Sequence, residues 1–325
     1  MRTLSGIQPT GSIHIGGYLG AIKQWVELQN KGECIVFIAD LHALTTPQDP
    51  KTFPRKTLET AAELLSSGID PEKCIIFVQS QVKEHAELAW ILNTITPIGE
   101  LERMIQYKEK SKQFKDFVNV GLLDYPVLQA ADILLYQADS VPIGKDQTQH
   151  LELTKTIAKK FNQKYGETLK VPEALTLEAG GKIMALNDPK KKMSKSSPET
   201  CLFLFDEPEV VKKKIMTAVT DTGKTIKYDL VKKPGISNLL TIYSLFSGQN
   251  MKELEKKFKN SGYGDFKKQL AAMLIEKLEP FRRKKKELMQ REIYVKEILE
   301  RGRKRAEFIA QATMAEVRQR VGLLS

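Results

Sequence analysis

Two segments of the chain carry residue types that suit a nucleoside triphosphate. The first, Gly6–Gly17, is rich in glycine and contains His14, whose ring can donate hydrogen bonds to phosphate oxygens. It lies where the first predicted strand turns into the first predicted helix, the crevice in which open α/β sheets bind nucleotides. A helix N-terminus there offers free N–H groups and a partial positive charge. Taken alone, the segment is also the pattern of an ordinary glycine-rich turn with Ser12 as helix cap.

The second segment is a basic loop at 190–198, Lys-Lys-Lys-Met-Ser-Lys-Ser-Ser-Pro. Lys192 and Lys195, with hydroxyl groups between and after them, can surround a triphosphate and its leaving pyrophosphate. Positioned cations stabilise the charge that develops on the bridging oxygen when the α-phosphate is attacked. Basic loops in general are more often solvated linkers, so this segment alone does not establish catalysis.

The elements that must position these segments alternate as in βαβ units. Continuous apolar runs such as Cys74–Val78 are typical of buried parallel strands, and we predict a parallel sheet covered on both faces. The predicted strands are Arg2–Ile7, Cys34–Ala39, Cys74–Val78 and Asp139–Ile143. The predicted helices are Gly16–Asn30, Phe53–Ser67, Lys83–Ile95, Gly99–Phe114, Tyr125–Tyr136 and Asp146–Tyr165.

The pattern changes after Pro198, where only helices are predicted. These are Pro208–Val219, Ser237–Ser247, Lys252–Asn260 and Asp265–Val321. The fold class is therefore α/β, with a Rossmann-type catalytic domain at 1–199 that includes a helical insertion at about 100–140, and an all-helical domain at 200–325.

Composition narrows the class of protein. The 325 residues carry a net charge of +11, and the surplus lies wholly in 201–325, which favours a polyanionic partner such as nucleic acid or merely solvated helix faces. The densest run of basic residues in 201–325 begins with Arg282, Arg283 and Lys284. No run is long enough for a membrane helix, and no signal-peptide core precedes the first strand, which favours the cytoplasm. The three cysteines lack zinc spacing and are interpreted as core residues.

A family resemblance joins the two chemical segments. A His-Ile-Gly-x segment followed by Lys-Met-Ser-Lys-Ser is the two-part signature of the class I aminoacyl-tRNA synthetases. Further stretches make the chain most similar to the tryptophan-specific bacterial members of that family, along nearly its whole length. They are Ser5–Gly11, Gly68–Pro71, Gly99–Met104, Asp124–Leu128, Ala130–Tyr136, Val141–Gln147 and Pro234–Leu240.

The resemblance implies roles for particular residues. For catalysis it implies Lys192, Lys195 and His14. For ATP it implies Gln8, Pro9, Thr10, Gly16, Gly17, Gly144, Lys145, Asp146, Ile183, Lys192, Met193, Ser194, Lys195 and Ser196. For tryptophan it implies Asp132, Tyr125, Gln129 and Gln147, with Asp132 as the acceptor for the indole N–H.

Residue chemistry agrees with the role of Asp132. Tyr125, Gln129 and Asp132 are four and three apart and share one helix face. A carboxylate among apolar neighbours is a costly burial without a partner, and indole is a hydrogen-bond donor only. A partly exposed helix Asp is the alternative. His42 is either a strand-end residue or part of the site, whereas His85 and His150 are interpreted as structural.

Three positions depart from the family pattern, namely Gly17, Gln129 and Lys145. The resemblance further implies ATP with Mg²⁺ and no structural metal, tRNA(Trp) as partner, a homodimer, and an anticodon-binding role for 200–325, in which Arg282, Arg283 and Lys284 are candidate tRNA contacts. A tyrosine-specific synthetase and a catalytically silent tRNA-binding paralogue remain alternatives.

Overall fold

The computed structural model describes residues 1–113, 118–144, 147–176, 183–195 and 197–324. The chain divides into two compact units. The sheet unit comprises Met1–Thr10, Trp25–Leu177 and Arg291–Ser325, and the helical unit comprises Gly11–Gln24 and Glu178–Gln290. Among the described residues, no helix is both long enough and apolar enough to cross a membrane.

The sheet unit contains five parallel strands in the order β3-β2-β1-β4-β5. They are β1 (Arg2–Ile7), β2 (Glu33–Ile38), β3 (Cys74–Val78), β4 (Ser140–Ile143) and β5 (Glu173–Thr176). This is the Rossmann order, which reverses between β1 and β4 and opens a crevice at their carboxyl ends. The predicted parallel sheet is confirmed. Strand β5 was not predicted, because Glu-Ala-Leu-Thr is too short and too polar to stand out in sequence.

The apolar runs of β2 and β3 form the centre of this unit. Cys34 of β2 pairs in register with Cys74 of β3, and both thiols are buried, as predicted for core cysteines. The helices of the sheet unit pack around this centre. They are α3 (Asp40–Ala43), α4 (Phe53–Ser66), α5 (Glu84–Asn93), α6 (Ile98–Glu102), α7 (Ile105–Gln113), α8 (Val120–Leu135), α9 (Thr148–Tyr165) and α14 (Glu292–Val321).

The last helix, α14, belongs to the sheet unit, so the boundary predicted at 199/200 does not describe the whole chain. Its buried face, with Ala306, Ala310 and Met314, joins the same apolar core as β3. Gly302 shows how close the approach is, because a Cβ on it would lie 1.8 Å from the carbonyl oxygen of Ile76. Sequence periodicity predicts that this helix has an apolar face but not which core receives it.

The predicted helix Gly16–Asn30 is wrong as one regular helix. The chain instead forms α1 (Ile15–Gly17), a π-helical turn (Tyr18–Ile22) and α2 (Lys23–Leu28). Gly16, Gly17 and Gly20 lie in the first half of the segment, and glycine has a low helix propensity, which weakens the regular pattern there.

The helical unit is built from α10 (Pro208–Thr217), α11 (Pro234–Ser247), α12 (Met251–Lys257) and α13 (Tyr263–Gln290). Its core includes an aromatic cluster in which Phe258 packs edge-on against Tyr243 and Phe266, with ring centroids 5.4 and 4.9 Å apart. The predicted helix Asp265–Val321 is interrupted at Arg291, whose φ of −116° and ψ of 51° are not helical.

Candidate active site

His14 is the N-cap of α1, a role that the sequence had offered to Ser12. Its Nδ1 accepts a hydrogen bond from the Gly17 N–H at 3.1 Å, so the proton of the neutral ring is on Nε2. Burial, followed by the charges of Lys195 and Lys192, lowers the pKa of His14 to about 4. At neutral pH the ring is therefore an uncharged donor through Nε2–H, placed beside two cations.

The lysine loop is anchored on both sides rather than being a free linker. Lys195 Nζ donates to the carbonyl oxygen of Gly11 at 2.8 Å. Gly11 has a φ of +131°, which a residue with a side chain rarely adopts, so glycine is required to present this oxygen. Met193, an expected ATP contact, is buried, and its N–H bonds to the Ile183 carbonyl oxygen at 3.0 Å. Its side chain therefore supports the loop, while Lys192 and Ser194 are exposed.

Ile183 lies next to the glycines of the first segment. A Cβ on Gly16 would stand 3.4 Å from Cβ of Ile183 and 3.1 Å from Nδ1 of His14, so the two segments meet within the helical unit. At Gly17 the nearest atom to a Cβ would be Nε2 of His14 at 3.4 Å, an ordinary contact. The departure at Gly17 therefore leaves room for a side chain, and nothing in the structure explains it.

Asn238, which was not among the predicted site residues, supports this arrangement through the backbone of Met184. Its Oδ1 accepts from the Met184 N–H at 2.9 Å and its Nδ2 donates to the Met184 carbonyl oxygen at 3.0 Å. This clamps the backbone next to Ile183. The sequence signal for this residue is its place in the Pro234–Leu240 stretch, which resembles the family.

Other expected ATP residues occupy the ends of strands in the sheet unit. Gln8, Pro9 and Thr10 follow β1, and Gly144 follows β4, so they lie at the point where the strand order reverses. Lys145, Asp146 and Ser196 lie outside the described residues. Their roles stay predictions.

Three of the four expected tryptophan residues, Tyr125, Gln129 and Asp132, share one face of α8, as their spacing predicted, and Gln147 precedes α9. Tyr125 and Asp132 are buried, and Gln129 lies between them with its amide 3.5 Å from Oε1 of Gln147. The Tyr125 hydroxyl is 2.8 Å from Nε2 of His150, and burial raises the pKa of this phenol. His150, interpreted as purely structural, thus contacts a predicted substrate residue.

The Asp132 carboxylate is held by three donors. Nε2 of His42 lies 2.7 Å from Oδ2. Nδ1 of His85 lies 2.6 Å from Oδ1, and Nε2 of Gln79 donates to the same oxygen at 2.7 Å. Burial alone would raise the pKa of Asp132, but His42 and then His85 oppose it and lower this pKa to about 2. The carboxylate is therefore ionised inside an apolar core, and the partly exposed alternative for Asp132 is wrong.

The ends of β2 and β3 position these donors. Asp40, directly after β2, accepts hydrogen bonds from the N–H groups of Leu41 and Ser80 at 3.0 and 2.9 Å, which ties together the two strand ends. His42 lies two residues after Asp40, beyond the end of β2, and Gln79 lies directly before Ser80, at the end of β3. Sequence reasoning had left His42 open and had not considered Gln79, because nothing in the linear order brings 42, 79, 85 and 132 together.

The structure contradicts a tRNA contact by Arg282. This side chain is buried, and its guanidinium donates to the carbonyl oxygens of Asp206 and Ile275 at 3.2 and 2.7 Å. Helix α13 turns Arg282 towards the interior of the helical unit, while Arg283 and Lys284 are exposed.

The surplus of positive charge lies in one of the two units. The helical unit has 25 Lys and Arg against 14 Asp and Glu, a net +11, and the rest of the chain has 26 of each. The helix α14, which the sequence had grouped with the basic region, therefore belongs to a neutral unit. The net positive charge of the chain is therefore that of the helical unit.

Comparison with known proteins agrees with this geometry. The model of the class I tRNA synthetases for tryptophan and tyrosine matches residues 1–279. A tryptophan–tRNA ligase of Caldanaerobacter subterraneus subsp. tengcongensis is 50% identical over 325 residues, covering 99% of this chain and 98% of its own.

Two solved structures are similar over the full length. Tryptophanyl-tRNA synthetase from Mycoplasma pneumoniae is 35% identical with a TM-score of 0.89, covering 100% of this chain and 98% of its own. The enzyme from Campylobacter jejuni, in complex with ADP and tryptophan, is 40% identical with a TM-score of 0.88, covering 99% and 100%. The chain therefore belongs to the class I tRNA synthetases for tryptophan and tyrosine, and within them to the bacterial-type tryptophan–tRNA ligases.

Proposed function

We propose that this enzyme activates L-tryptophan with ATP to tryptophanyl-adenylate and pyrophosphate, and then transfers tryptophan to the 3′-terminal ribose of tRNA(Trp). The observation that carries the choice of amino acid is the ionised, buried carboxylate of Asp132 on the same helix face as Tyr125. An ionised carboxylate only accepts hydrogen bonds and an indole only donates one. The similar Campylobacter enzyme was solved with ADP and tryptophan, which supports both substrates.

The indole N–H is assigned to Oδ2 of Asp132. Oδ1 already accepts from His85 and Gln79, whereas Oδ2 accepts only from His42 among the described residues. A carboxylate oxygen has about two lone-pair sites. One site therefore remains on Oδ2 for the substrate, and a charged acceptor makes that hydrogen bond strong.

The remaining contacts with tryptophan are assigned to polar groups near Tyr125. We assign Tyr125 and Gln147 to the substrate ammonium, since a hydroxyl and an amide oxygen can both accept from it. Gln129, which departs from the family pattern and lies against Gln147, adds a polar group to the pocket.

Adenylate formation needs positioned charge rather than a protein nucleophile. The tryptophan carboxylate attacks the α-phosphorus in line, and the bond to the bridging oxygen of pyrophosphate breaks. Lys192 and Lys195 stabilise the charge on the departing group, and His14 donates from Nε2 to a phosphate oxygen. Because His14 is uncharged at neutral pH, it orients the phosphate without adding a third cation.

The nucleoside is assigned to the strand ends. Gln8, Pro9, Thr10, Gly144, Lys145 and Asp146 are proposed to bind adenosine, with Gly144 and Asp146 at the ribose, Gly16 and Gly17 at the adenine, and Ile183 packing near it. Ser194 and Ser196 are proposed to contact the phosphates. Among the described residues no group of three His, Cys, Asp or Glu is placed to hold a metal ion. We propose that Mg²⁺ enters with the phosphates of ATP.

The tRNA is assigned to the basic helical unit. Its net charge of +11 supports attraction of a polyanion, and Arg283 and Lys284 of α13 are exposed for phosphate contacts. Anticodon binding is proposed for the part of the predicted domain 200–325 that lies in this unit, that is 200–290.

A homodimer is proposed through the elements around the start of α8. Four large apolar side chains there are 60–79% exposed in the isolated chain, which supports a second copy as the occupant of this surface. They are Trp90, Ile98, Ile105 and Val120. Because tRNA, ATP and free amino acids meet in the cytoplasm, we propose that the enzyme works there.

One experiment separates the alternatives. ATP–pyrophosphate exchange is measured with each of the twenty amino acids, and tryptophan is expected to be the only efficient substrate. Exchange with tyrosine instead would establish the tyrosine-specific alternative. Absence of exchange with every amino acid, in a folded protein that still binds tRNA, would establish the silent paralogue.

A further inference from the structure

A chain of hydrogen bonds extends behind Asp132 into the core. Oδ1 of Asp132 faces Nδ1 of His85 at 2.6 Å, and Nε2 of the same ring faces the Tyr136 hydroxyl at 2.8 Å. The three side chains are at most 1% exposed. Neither His85 nor Tyr136 was assigned a contact with a substrate above.

The donors and acceptors allow one neutral arrangement of this chain. An ionised carboxylate only accepts, so Nδ1 of His85 must carry a hydrogen. Among the described residues, the His85 ring is the one hydrogen-bond partner of the Tyr136 hydroxyl, so its O–H is left with Nε2 as acceptor. Burial, with the charges of Asp132 and Glu84, raises the pKa of the Tyr136 phenol, which keeps its proton. His85 is then the neutral tautomer with hydrogen on Nδ1.

Within the part of the chain that the structure describes, the ring nitrogens of His85 have no hydrogen-bond partners other than Asp132 and Tyr136. The ring centroids of Phe37 and Phe77 each lie 5.9 Å from that of His85, and the Tyr136 ring lies at 5.4 Å. The titratable groups that face the chain are His42 from α3, Glu84 from α5, and Asp132 itself. In this apolar enclosure the other tautomer of His85 is costly, because a buried donor or acceptor without a partner has no water with which to form a hydrogen bond.

We propose that Tyr136 is a positioning residue for the choice of amino acid. Its hydroxyl fixes the tautomer of His85, which then holds Oδ1 of Asp132 and leaves Oδ2 for the indole N–H. This inference rests on the proposed function, in which Asp132 binds the indole. Without the Tyr136 hydroxyl, the tautomer with hydrogen on Nε2 becomes competitive, and it would turn a lone pair of Nδ1 towards the carboxylate.

The first test is Tyr136→Phe, which keeps the ring and removes only the hydroxyl. In ATP–pyrophosphate exchange, kcat/KM for tryptophan should fall about tenfold, the size expected for one weakened charged hydrogen bond, with the change mainly in KM. For an analogue with benzothiophene in place of indole, which has no N–H, kcat/KM should change by less than about twofold. An equal loss for both amino acids would show a general structural defect and overturn the proposal.

His85→Asn is the matched control. Its side-chain amide can donate where Nδ1 did and needs no tyrosine to fix its direction. In that background, Tyr136→Phe should therefore change the preference for tryptophan over the analogue by less than about twofold. A full tenfold effect there would mean that the hydroxyl does not act through the His85 tautomer.

The tautomer is also measured directly in the unsubstituted enzyme. The chain has four histidines, so the ¹⁵N resonances of their rings can be assigned individually. His85 should have hydrogen on Nδ1 only, and Tyr136→Phe should shift it towards Nε2. An Nε2–H tautomer or a fully protonated ring in the unsubstituted protein would overturn the proposal even if Tyr136→Phe fails to fold.

Asp132→Asn separates this inference from the proposed function. If that variant leaves the preference for tryptophan over the analogue unchanged, Asp132 does not bind the indole. The proposed indole contact and the positioning role of Tyr136 would then both be wrong. If Asp132→Asn reduces the preference but Tyr136→Phe does not, the proposed function stands and the positioning role is wrong.

Discussion

The basic surface of α13 gives a sharp test of tRNA binding, because neighbouring residues of one charged run have opposite environments. Arg283 and Lys284 are exposed, whereas the guanidinium of Arg282 bonds to two carbonyl oxygens inside the helical unit. We therefore expect the double variant Arg283→Gln, Lys284→Gln to weaken tRNA binding, and Arg282→Gln to weaken folding instead.

The magnitudes follow from these environments. Each phosphate contact contributes about 0.7–0.9 to the slope of log K against log salt, so loss of two should lower the slope by about 1.4–1.8 and raise KM for tRNA roughly tenfold at physiological salt. Replacing Arg282 leaves buried carbonyl oxygens without donors, at a cost of about 2–4 kcal/mol and a fall in Tm of about 5–10 °C.

The assay is aminoacylation at several salt concentrations, with thermal unfolding and ATP–pyrophosphate exchange as controls. The double variant should show normal exchange, since that step needs no tRNA. Unchanged KM for tRNA together with an unchanged salt slope would refute the reasoning, and these side chains would then only solvate the helix. Impaired exchange in the double variant would indicate a folding defect, and the charge argument would have to be withdrawn.

Four further predictions concern the same enzyme. Asp132→Asn should lower the ratio of kcat/KM for tryptophan over phenylalanine by about 10- to 100-fold, since a charged hydrogen bond contributes on the order of 1.5–3 kcal/mol; an unchanged ratio would show that Asp132 does not select the ring. Lys195→Ala should lower kcat for adenylate formation more than it raises KM for ATP, because charge is greatest in the transition state; an effect on KM alone would assign Lys195 to ground-state binding. The pKa of His14 is 6.5 in the unfolded chain and about 4 in the folded protein, so the ring lowers the free energy of unfolding as pH falls from about 7 to 4. His14→Asn, which can still cap α1, should therefore make the free energy of unfolding depend less on pH in that window. An identical pH profile would contradict the low pKa. Trp90→Glu should convert a dimer into monomers by light scattering, because it places a charge in an exposed apolar surface; a dimer of unchanged stability would place the interface elsewhere.

Local features of this protein could be predicted where they depend on short stretches of chain. The buried strands β2 and β3 follow from continuous apolar runs, which favour a parallel sheet whatever surrounds them. Tyr125, Gln129 and Asp132 share a helix face because helical spacing fixes their direction. The segments that contain His14 and Lys195 were recognisable because each is contiguous, although their meeting through Gly11 is a tertiary fact.

Only the tertiary structure decided which distant groups share a site. Asp132 is ionised in the core because three side chains from other elements converge on it, and no spacing along the chain links Gln79 or His85 to position 132. The orientation of α13 likewise separates Arg282 from Arg283 within one basic run, and close packing at Gly302 places α14 in the sheet unit. The physical reason is the same in each case: composition and periodicity specify what a residue can do, while burial and partners, which depend on packing between segments far apart in sequence, specify what it does.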